Sequence, residues 1–537
     1  MRGLMQDRPL DVATLMRRVE RMFGHKRVIT ATADDEVVTP WHQVVHRARR
    51  LAAALDLLDV PPQARVGTFG WNSQRHVELY LAVPTSGRIL HTINHRLHAP
   101  ELTYIVNDAA DDVLFVDRSL LPVVWPLIEQ APTVRHVVVM DDSGTAPLPD
   151  DSRVRDYEAL LDEVPAPGPP VVVDENDAAS LCYTSGTTGR PKGVLYSHRS
   201  IVLHALLLLG ADSFAISERD VVLPIVPMFH VNAWGLPYAA MLAGSDLVLP
   251  GPAMSPAALA GQLARHRVTF AAGVPAIWRG LLPLLDQVDL SALRMVVSGG
   301  SALPDALARA WHQATGVMIT SSWGMTEASP LVACSRIATV HDGLDQEDQR
   351  ALLGTPGPTV PLTEARLIDD VGDPVDHDGV TPGELQVAGP TIAAGYFGAE
   401  PGAVAFTDDG WLRTGDIATI DRYGYVRVVD RTKDLVKSGG EWISSVELEN
   451  EIMTHPEVVE AAVIGIPDDR WGERPLACVL TTPGSDFDAA ALRAHLTGRV
   501  ASWWIPEQVW VLPEIPRTPT GKVSKLTLRQ LHATLHR

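Results

Sequence analysis

Apolar positions recur at helical spacing over Val12 to Phe23 and again over His42 to Leu58, with a β-rich piece, Arg27 to Val38, between them. Past Leu58 the pattern turns to short apolar runs interleaved with amphipathic stretches. Arg65 to Trp71 reads as a strand, His76 to Val83 as a helix, and Asp112 to Val116 and His136 to Met140 as further strands. Such alternation predicts a layered α/β domain. Asp141 to Pro170, rich in Pro, Asp and Gly, reads as a connecting segment. The alternation resumes with a buried strand at Ala178 to Cys182, a helix at Ser200 to Leu209, and strands at Val221 to Val226 and Leu293 to Ser298. From Gly354 to Gly395 short alternating strands with turn residues predict a small β-barrel-like part. Near the end, a helix at Ser445 to Met453 and strands at Val458 to Ile464 and Leu476 to Leu480 suffice for a small core of their own.

Composition narrows the function classes. A chain of 537 residues with 46% hydrophobic content exceeds one ordinary core, and predicts about two to four folding units. A net charge of -20 argues against sequence-independent nucleic-acid binding, so anionic substrates must be drawn in by local lysines and arginines. Cys182, Cys334 and Cys478 are widely scattered, with no ligand spacing and no disulfide framework, which fits a reducing cytosol. The start is short of an apolar core for a secretory signal. No apolar run reaches spanning length; Ile201 to Leu209 is too short and carries His204, so any membrane contact is expected to be peripheral. His91, His95 and His98 would share one side of a helix and could bind a metal there. Asn94 and Pro100 interrupt such a helix, which favours a loop with incidental histidines.

The densest chemistry lies in Tyr183 to Val194, Tyr-Thr-Ser-Gly-Thr-Thr-Gly-Arg-Pro-Lys-Gly-Val. Gly186, Gly189 and Gly193 free the backbone to turn its N–H groups toward an anion. Thr184, Ser185, Thr187 and Thr188 add hydroxyl donors, and Lys192 adds a positive charge. It is a phosphate loop by chemistry, yet not a Walker A loop: Pro191 precedes the lysine and Gly193 follows it. The stretch resembles the signature loop of the adenylate-forming enzymes, which include acyl-CoA synthetases, aryl-CoA ligases, luciferases and peptide-synthetase adenylation domains.

Four further motifs extend this resemblance over essentially the whole chain. Ser322-Trp323-Gly324-Met325-Thr326-Glu327 resembles the family's aromatic-Gly-x-Thr-Glu motif, which implies that Thr326 contacts phosphate and that Glu327 and Thr184 hold Mg²⁺. Trp323 stands where most members carry tyrosine; its indole can stack on adenine but offers no phenol hydroxyl. Trp411 to Asp416 resembles the ribose motif, with Asp416 accepting from the hydroxyls and Arg431 assisting. Asp430-Arg431-Thr432-Lys433 resembles the hinge, with Lys433 as the hinge residue. Pro516 to Lys522 resembles the loop whose lysine reaches the α-phosphate and carboxylate during adenylation, a role suited to a compact ammonium on a long stem.

By the same resemblance, Lys433 to Trp442 swings in for thioester formation. Gly439, Gly440 and Glu441 then line the thiol's path, and Lys437 and Trp442 lie on the nucleotide side. Gly299, Gly300 and Ser301 form a turn that lets a ligand approach the backbone. His230 is placed at the junction of the nucleotide, acyl and CoA pockets, and Trp234 matches a residue that gates an acyl tunnel. The resemblance implies residues 1–430 as an AMP- and acyl-binding domain, 431–433 as hinge, and 434–537 as a mobile α+β catalytic lid. It also implies ATP, Mg²⁺ and CoA, a carboxylic acid substrate, a cytoplasmic enzyme and a homodimer. Val226 to Trp234 and Lys437 to Ser445 look most like bacterial medium- and long-chain fatty acyl-CoA synthetases, and equally like relatives that activate 3-methylmercaptopropionate. Two alternatives stay open: an adenylase that passes its acyl group to a carrier protein or oxygen, and a nucleotide-binding scaffold or sensor without ligase activity.

Overall fold

The computed structural model describes residues 1, 3–32, 35–164, 170–184, 190–399, 405–439, 441–518 and 521–535. Two large sheets enclose a layer of helices. The first has seven strands in the order Val154–Asp156, His136–Met140, Asp111–Asp117, Arg65–Phe69, Ile89–Thr92, Ala178–Tyr183 and Gly193–Ser197, parallel except at the last pair. The second has eight, with Ile319–Gly324, Met295–Ser298, Phe270–Gly273, Val221–Pro224, Asp246–Leu249 and Arg27–Ala31 parallel in that order and antiparallel strands at both edges. The helices Val12–Phe23, Trp41–Leu57, Gln74–Thr85, His198–Leu209 and Leu236–Ala243 share one apolar core with residues of both sheets. Gln74–Thr85 is buried at every residue but Arg75. A helix covered all round has no solvent face for its polar side chains, so Gln74, His76 and Glu78 must find their partners inside the protein.

Charges inside this layer are paired. Glu78, fully buried, accepts from Arg47 Nε at 2.7 Å, from Gln74 Nε2 at 2.5 Å and from the Tyr157 hydroxyl at 2.5 Å. Tyr157 corrects one expectation. Asp141 to Pro170 is not wholly a connection, because Val154–Asp156 adds an edge strand and Tyr157–Asp162 a short helix whose Tyr157, Leu160 and Leu161 are buried. The β-barrel-like part is also different from the expectation. It is an open five-stranded antiparallel sheet, Gly357–Pro358, Tyr425–Arg431, Leu412–Ile420, Gly383–Ala388, Glu364–Ile368, whose long central strands lie beyond Gly395. A last sheet of Val436–Ser438, Glu441–Ile443, Val458–Asp468, Gly472–Thr481 and Gln508–Val511 carries its own core with the helices Ser445–Ile452 and Ala489–Leu496.

The three histidines share no helix: His91 is on a strand with Nδ1 2.8 Å from Asp111, His95 is in a loop, and His98 caps Ala99–Ala109. Among the described residues no cluster of three or more His, Cys, Asp or Glu could hold a metal, and no helix is long and apolar enough to cross a membrane. The three cysteines are free and buried, and burial pushes the Cys182 thiol up to about 11.

Candidate active site

Several parallel strands deliver site residues from their C-terminal ends, as open α/β sheets commonly do. Ala178–Tyr183 leads into the phosphate loop, Met295–Ser298 into Gly299 and Gly300, and Ile319–Gly324 into Thr326 and Glu327. The loop's two flanks are tied together: Thr184 N–H donates to the Lys192 carbonyl at 2.9 Å, and Lys192 N–H to Thr184 Oγ1 at 3.0 Å. Ser185, Gly186, Thr187, Thr188 and Gly189 lie outside the described residues, as does Gly440. Lys192 Nζ stands 4.7 Å over the ring of Tyr396, whose hydroxyl donates to Glu327 Oε1 at 2.7 Å. Burial, with Glu327 adding to it, pushes the Tyr396 phenol up, so it stays a donor. Tyr396 thus joins the two motifs, and nothing local in the sequence marks it.

Thr326 and Glu327 are buried in one short turn, with the Thr326 carbonyl accepting from the Tyr196 hydroxyl at 2.6 Å. A carboxylate and a threonine hydroxyl are a sparse, all-oxygen donor set. It suits a magnesium ion that arrives on a nucleotide and keeps phosphate and water ligands.

Asp416 and Arg431 face each other in register on adjacent strands, with Arg431 Nε donating to Asp416 Oδ1 at 2.9 Å. The other oxygen accepts from Trp323 Nε1 at 3.0 Å. Trp323 therefore brings a hydrogen bond to the aspartate, beyond the stacking surface expected of it.

Lys522 enters this cleft from the C-terminal part. Gly300 has φ +83°, and a Cβ added there would lie 3.4 Å from Lys522 Cε, so both backbone shape and space favour glycine. Burial, and then the Arg431 charge, lower Lys522 to about 8, against the pull of Asp416 and Glu327. His230, half-buried beside it, is lowered to about 3 by burial and by the Lys522 charge, and stays neutral at physiological pH.

The segment expected to face the acyl group is an unusual turn. Val231, Asn232, Ala233 and Trp234 all have positive φ, at 43°, 53°, 50° and 57°. Asn232 Oδ1 accepts from Cys182 Sγ at 3.4 Å and lies 3.3 Å from Ser180 Oγ, pinning the turn to the strand before the phosphate loop. Trp234 is 9% exposed, and a Cβ on Gly299 would come within 2.9 Å of both Trp234 Cη2 and Ser322 Oγ. Ser301 is exposed after Gly300; Gly324 and Met325 bend around the Pro330 carbonyl, which accepts from Met325 N–H at 3.1 Å.

The remaining expected residues gather elsewhere. Lys437 and Trp442 pair across the hairpin, with Nζ 4.5 Å over the indole, and Lys437 N–H donates to Glu473 at 2.9 Å. Gly439 lies against the Trp471 ring, and Glu441 is exposed opposite Ser438. In this arrangement the hairpin is part of the C-terminal sheet, with Ser438 paired to Gly472. Around Lys433, Arg529 donates to the Lys433 carbonyl at 3.1 Å and to Asp434 at 2.8 Å, while Ser445 N–H donates to the buried Asp430 at 2.6 Å.

Comparison with known proteins gives this geometry a context. Residues 17–397 match the AMP-binding enzyme family and residues 447–522 the AMP-binding enzyme C-terminal domain. The long-chain-fatty-acid–CoA ligase of Thermus thermophilus is 45% identical over 98% of this chain and 96% of its own. The 3-methylmercaptopropionyl-CoA ligase of Ruegeria lacuscaerulensis is 41% identical over 98% of both. Among solved structures, ATP-bound MatB from Rhodopseudomonas palustris is 27% identical and covers 98% of this chain and 100% of its own, with a TM-score of 0.85; the apo form of MatB reaches 0.75. Of these two forms the nucleotide-bound one is the better match. The chain belongs to the AMP-binding enzyme family and is an acid–thiol ligase.

Proposed function

We propose that this protein is an ATP-dependent fatty acyl-CoA synthetase of medium- and long-chain acids, converting acid, ATP and CoA to acyl-CoA, AMP and pyrophosphate through an acyl-adenylate. The observation that carries the reading is the Lys522 ammonium, held in one cleft with Asp416, Arg431 and Glu327 and against Gly300. Attack of a carboxylate on the α-phosphorus concentrates negative charge, and a preorganised cation beside it lowers the barrier without rearrangement. In this reading Asp416 takes the ribose hydroxyls and Thr184, Thr326 and Lys192 take phosphate. Glu327 and Thr184 hold the magnesium of MgATP, which neutralises the leaving pyrophosphate. His230, neutral, lines the junction where acid and thiol meet, and Trp234 on Gly299 closes the acyl side. The hairpin of Lys437 and Trp442 acts later, when the C-terminal part has turned and Gly439 and Gly440 admit the thiol. Cytoplasmic location and a homodimer belong to the same proposal.

A second reading, ligation of 3-methylmercaptopropionate, is supported by the 41% identical relative of that name. Pyrophosphate release with ATP, Mg²⁺ and CoA separates the two over a panel from propionate and 3-methylmercaptopropionate through octanoate to palmitate. An optimum at octanoate or longer is expected. An optimum at the short acids moves the assignment to the second reading, and multiple-turnover pyrophosphate release that CoA does not accelerate would remove the thiol acceptor from it.

A further inference from the structure

The carboxylate of Glu460 sits where the C-terminal part meets the N-terminal one, and the chemistry above makes no use of it. Its two oxygens accept from Arg517 Nη2 at 2.8 and 2.7 Å, and Oε2 lies 3.1 Å from Arg279 Nη1. The three residues come from different places. Glu460 is on the strand Val458–Asp468, Arg517 opens the loop that bears Lys522, and Arg279 is on the helix Pro275–Leu281 of the N-terminal part. One carboxylate, 8% exposed, therefore ties the lysine loop to a residue across the domain junction.

The tie reaches Lys522 through short links. Arg517 Nη1 donates to the Gly521 carbonyl at 3.0 Å, the peptide that joins Gly521 to Lys522. Thr518 N–H donates to the Lys522 carbonyl at 2.7 Å, and Lys522 N–H to Thr518 Oγ1 at 3.2 Å. On the other side, Val274 caps the helix that carries Arg279, and it packs under the same loop. A Cβ on Gly300 would be 3.5 Å from Val274 Cγ1, and one on Gly521 4.0 Å from Cγ2. A single helix thus supports the lysine loop twice, by an apolar contact at its start and by an ion pair about one and a half turns later.

We propose that Arg279 is a positioning residue for adenylation: through Glu460 and Arg517 it fixes the C-terminal part in the arrangement that places Lys522 in the cleft. The contact is built to be released. When the C-terminal part turns, Glu460 keeps both contacts from Arg517 Nη2, so no buried carboxylate is stranded. Arg279, 27% exposed already, passes into water. Thioester formation therefore proceeds without it. The proposal rests on the ligase reading above, and its test has one arm that does not.

The test compares Arg279→Met and Arg279→Lys with the parent in each half-reaction. Octanoate-dependent exchange of pyrophosphate into ATP, without CoA, reports adenylation; supplied octanoyl-adenylate with CoA reports thioester formation. Loss of one charge-assisted contact predicts about a tenfold drop in exchange for Arg279→Met. Thioester formation stays within about twofold, and Arg279→Lys recovers most of the exchange. Equal loss in both half-reactions, or unchanged exchange, overturns the proposal. If the parent does not activate octanoate, the ligase reading fails for that acid and the positioning role is decided by resonance energy transfer. Dyes at Ser291→Cys and Thr482→Cys, two exposed positions on the two parts, label selectively because the native cysteines are buried. With ATP and Mg²⁺, Arg279→Met then populates a second inter-dye distance that the parent and Arg279→Lys lack; one shared distribution in all three refutes the role.

Discussion

Replacing Trp323 by phenylalanine removes a single N–H from the proposed nucleotide cleft while keeping an aromatic face. An ionised carboxylate has about four lone-pair sites. Arg431 occupies one on Asp416 Oδ1 and Trp323 one on Oδ2. One site per oxygen remains, the number that two ribose hydroxyls would require in the proposed site, and the two donors also fix the plane in which those sites lie. Without the indole N–H the carboxylate can rotate about its remaining bond to Arg431. A hydrogen bond to a charged acceptor contributes about 1.5–3 kcal/mol. Trp323 is half-buried and water can take its place, so the lower figure applies, which is about a tenfold rise in KM for ATP. The assay is steady-state pyrophosphate release against ATP, repeated with 2′-deoxy-ATP. Because the deoxy sugar lacks one of the two hydroxyls, the Trp323→Phe penalty should shrink with it. An unchanged KM for ATP, or an equal penalty with both nucleotides, refutes the reasoning and assigns the tryptophan to stacking alone.

Two other perturbations test the electrostatics. Burial and Arg431 hold Lys522 at about 8, and only the protonated amine can offset charge at phosphate; kcat/KM for ATP should therefore fall as pH rises through about 8. Lys522→Arg, whose charge does not titrate there, should move that limb upward, and a flat alkaline profile in the parent contradicts the assignment. In the core, Arg47→Met leaves Glu78 buried without its cation and should destabilise the N-terminal part by about 3 kcal/mol, seen as a lower first transition in calorimetry. Adding Glu78→Gln should recover over half of that loss; no recovery would mean that packing of the arginine stem, rather than the charge, is what matters.

Legibility in the sequence followed the range over which each feature is decided. Val12–Phe23 and His136–Met140 were readable to the residue because local periodicity sets them. Tyr157–Asp162 was not, since six residues carry too little periodicity to outweigh the surrounding Pro, Asp and Gly. The Gly354 to Gly395 region was misread for a related reason: its strands are completed by Leu412–Ile420 and Tyr425–Arg431, and local alternation cannot reveal a partner that distant. The motifs single out their residues one by one, but not the contacts those residues make with each other. The Trp323 to Asp416 bond spans 93 positions, and Arg279 sits in an ordinary helix with no mark of its partner Glu460.

The turn Val231–Trp234 lies furthest from sequence reasoning. A β-branched residue at φ 43° followed by three more left-handed residues goes against local preference at Val231, Ala233 and Trp234, at about 1–2 kcal/mol per residue. Such a segment persists only if tertiary contacts return that energy. Here they are the Asn232 side chain on Ser180 and Cys182, and the Trp234 ring on Gly299. The same contacts bind the turn to the strand that enters the phosphate loop and to the strand end that approaches Lys522. The geometry of the turn is therefore set by the strand that precedes Thr184 and the strand end at Gly299, so a change in either one moves Trp234. Local sequence carries only the glycine and the asparagine that make this possible. The strain itself is a property of the assembled cleft.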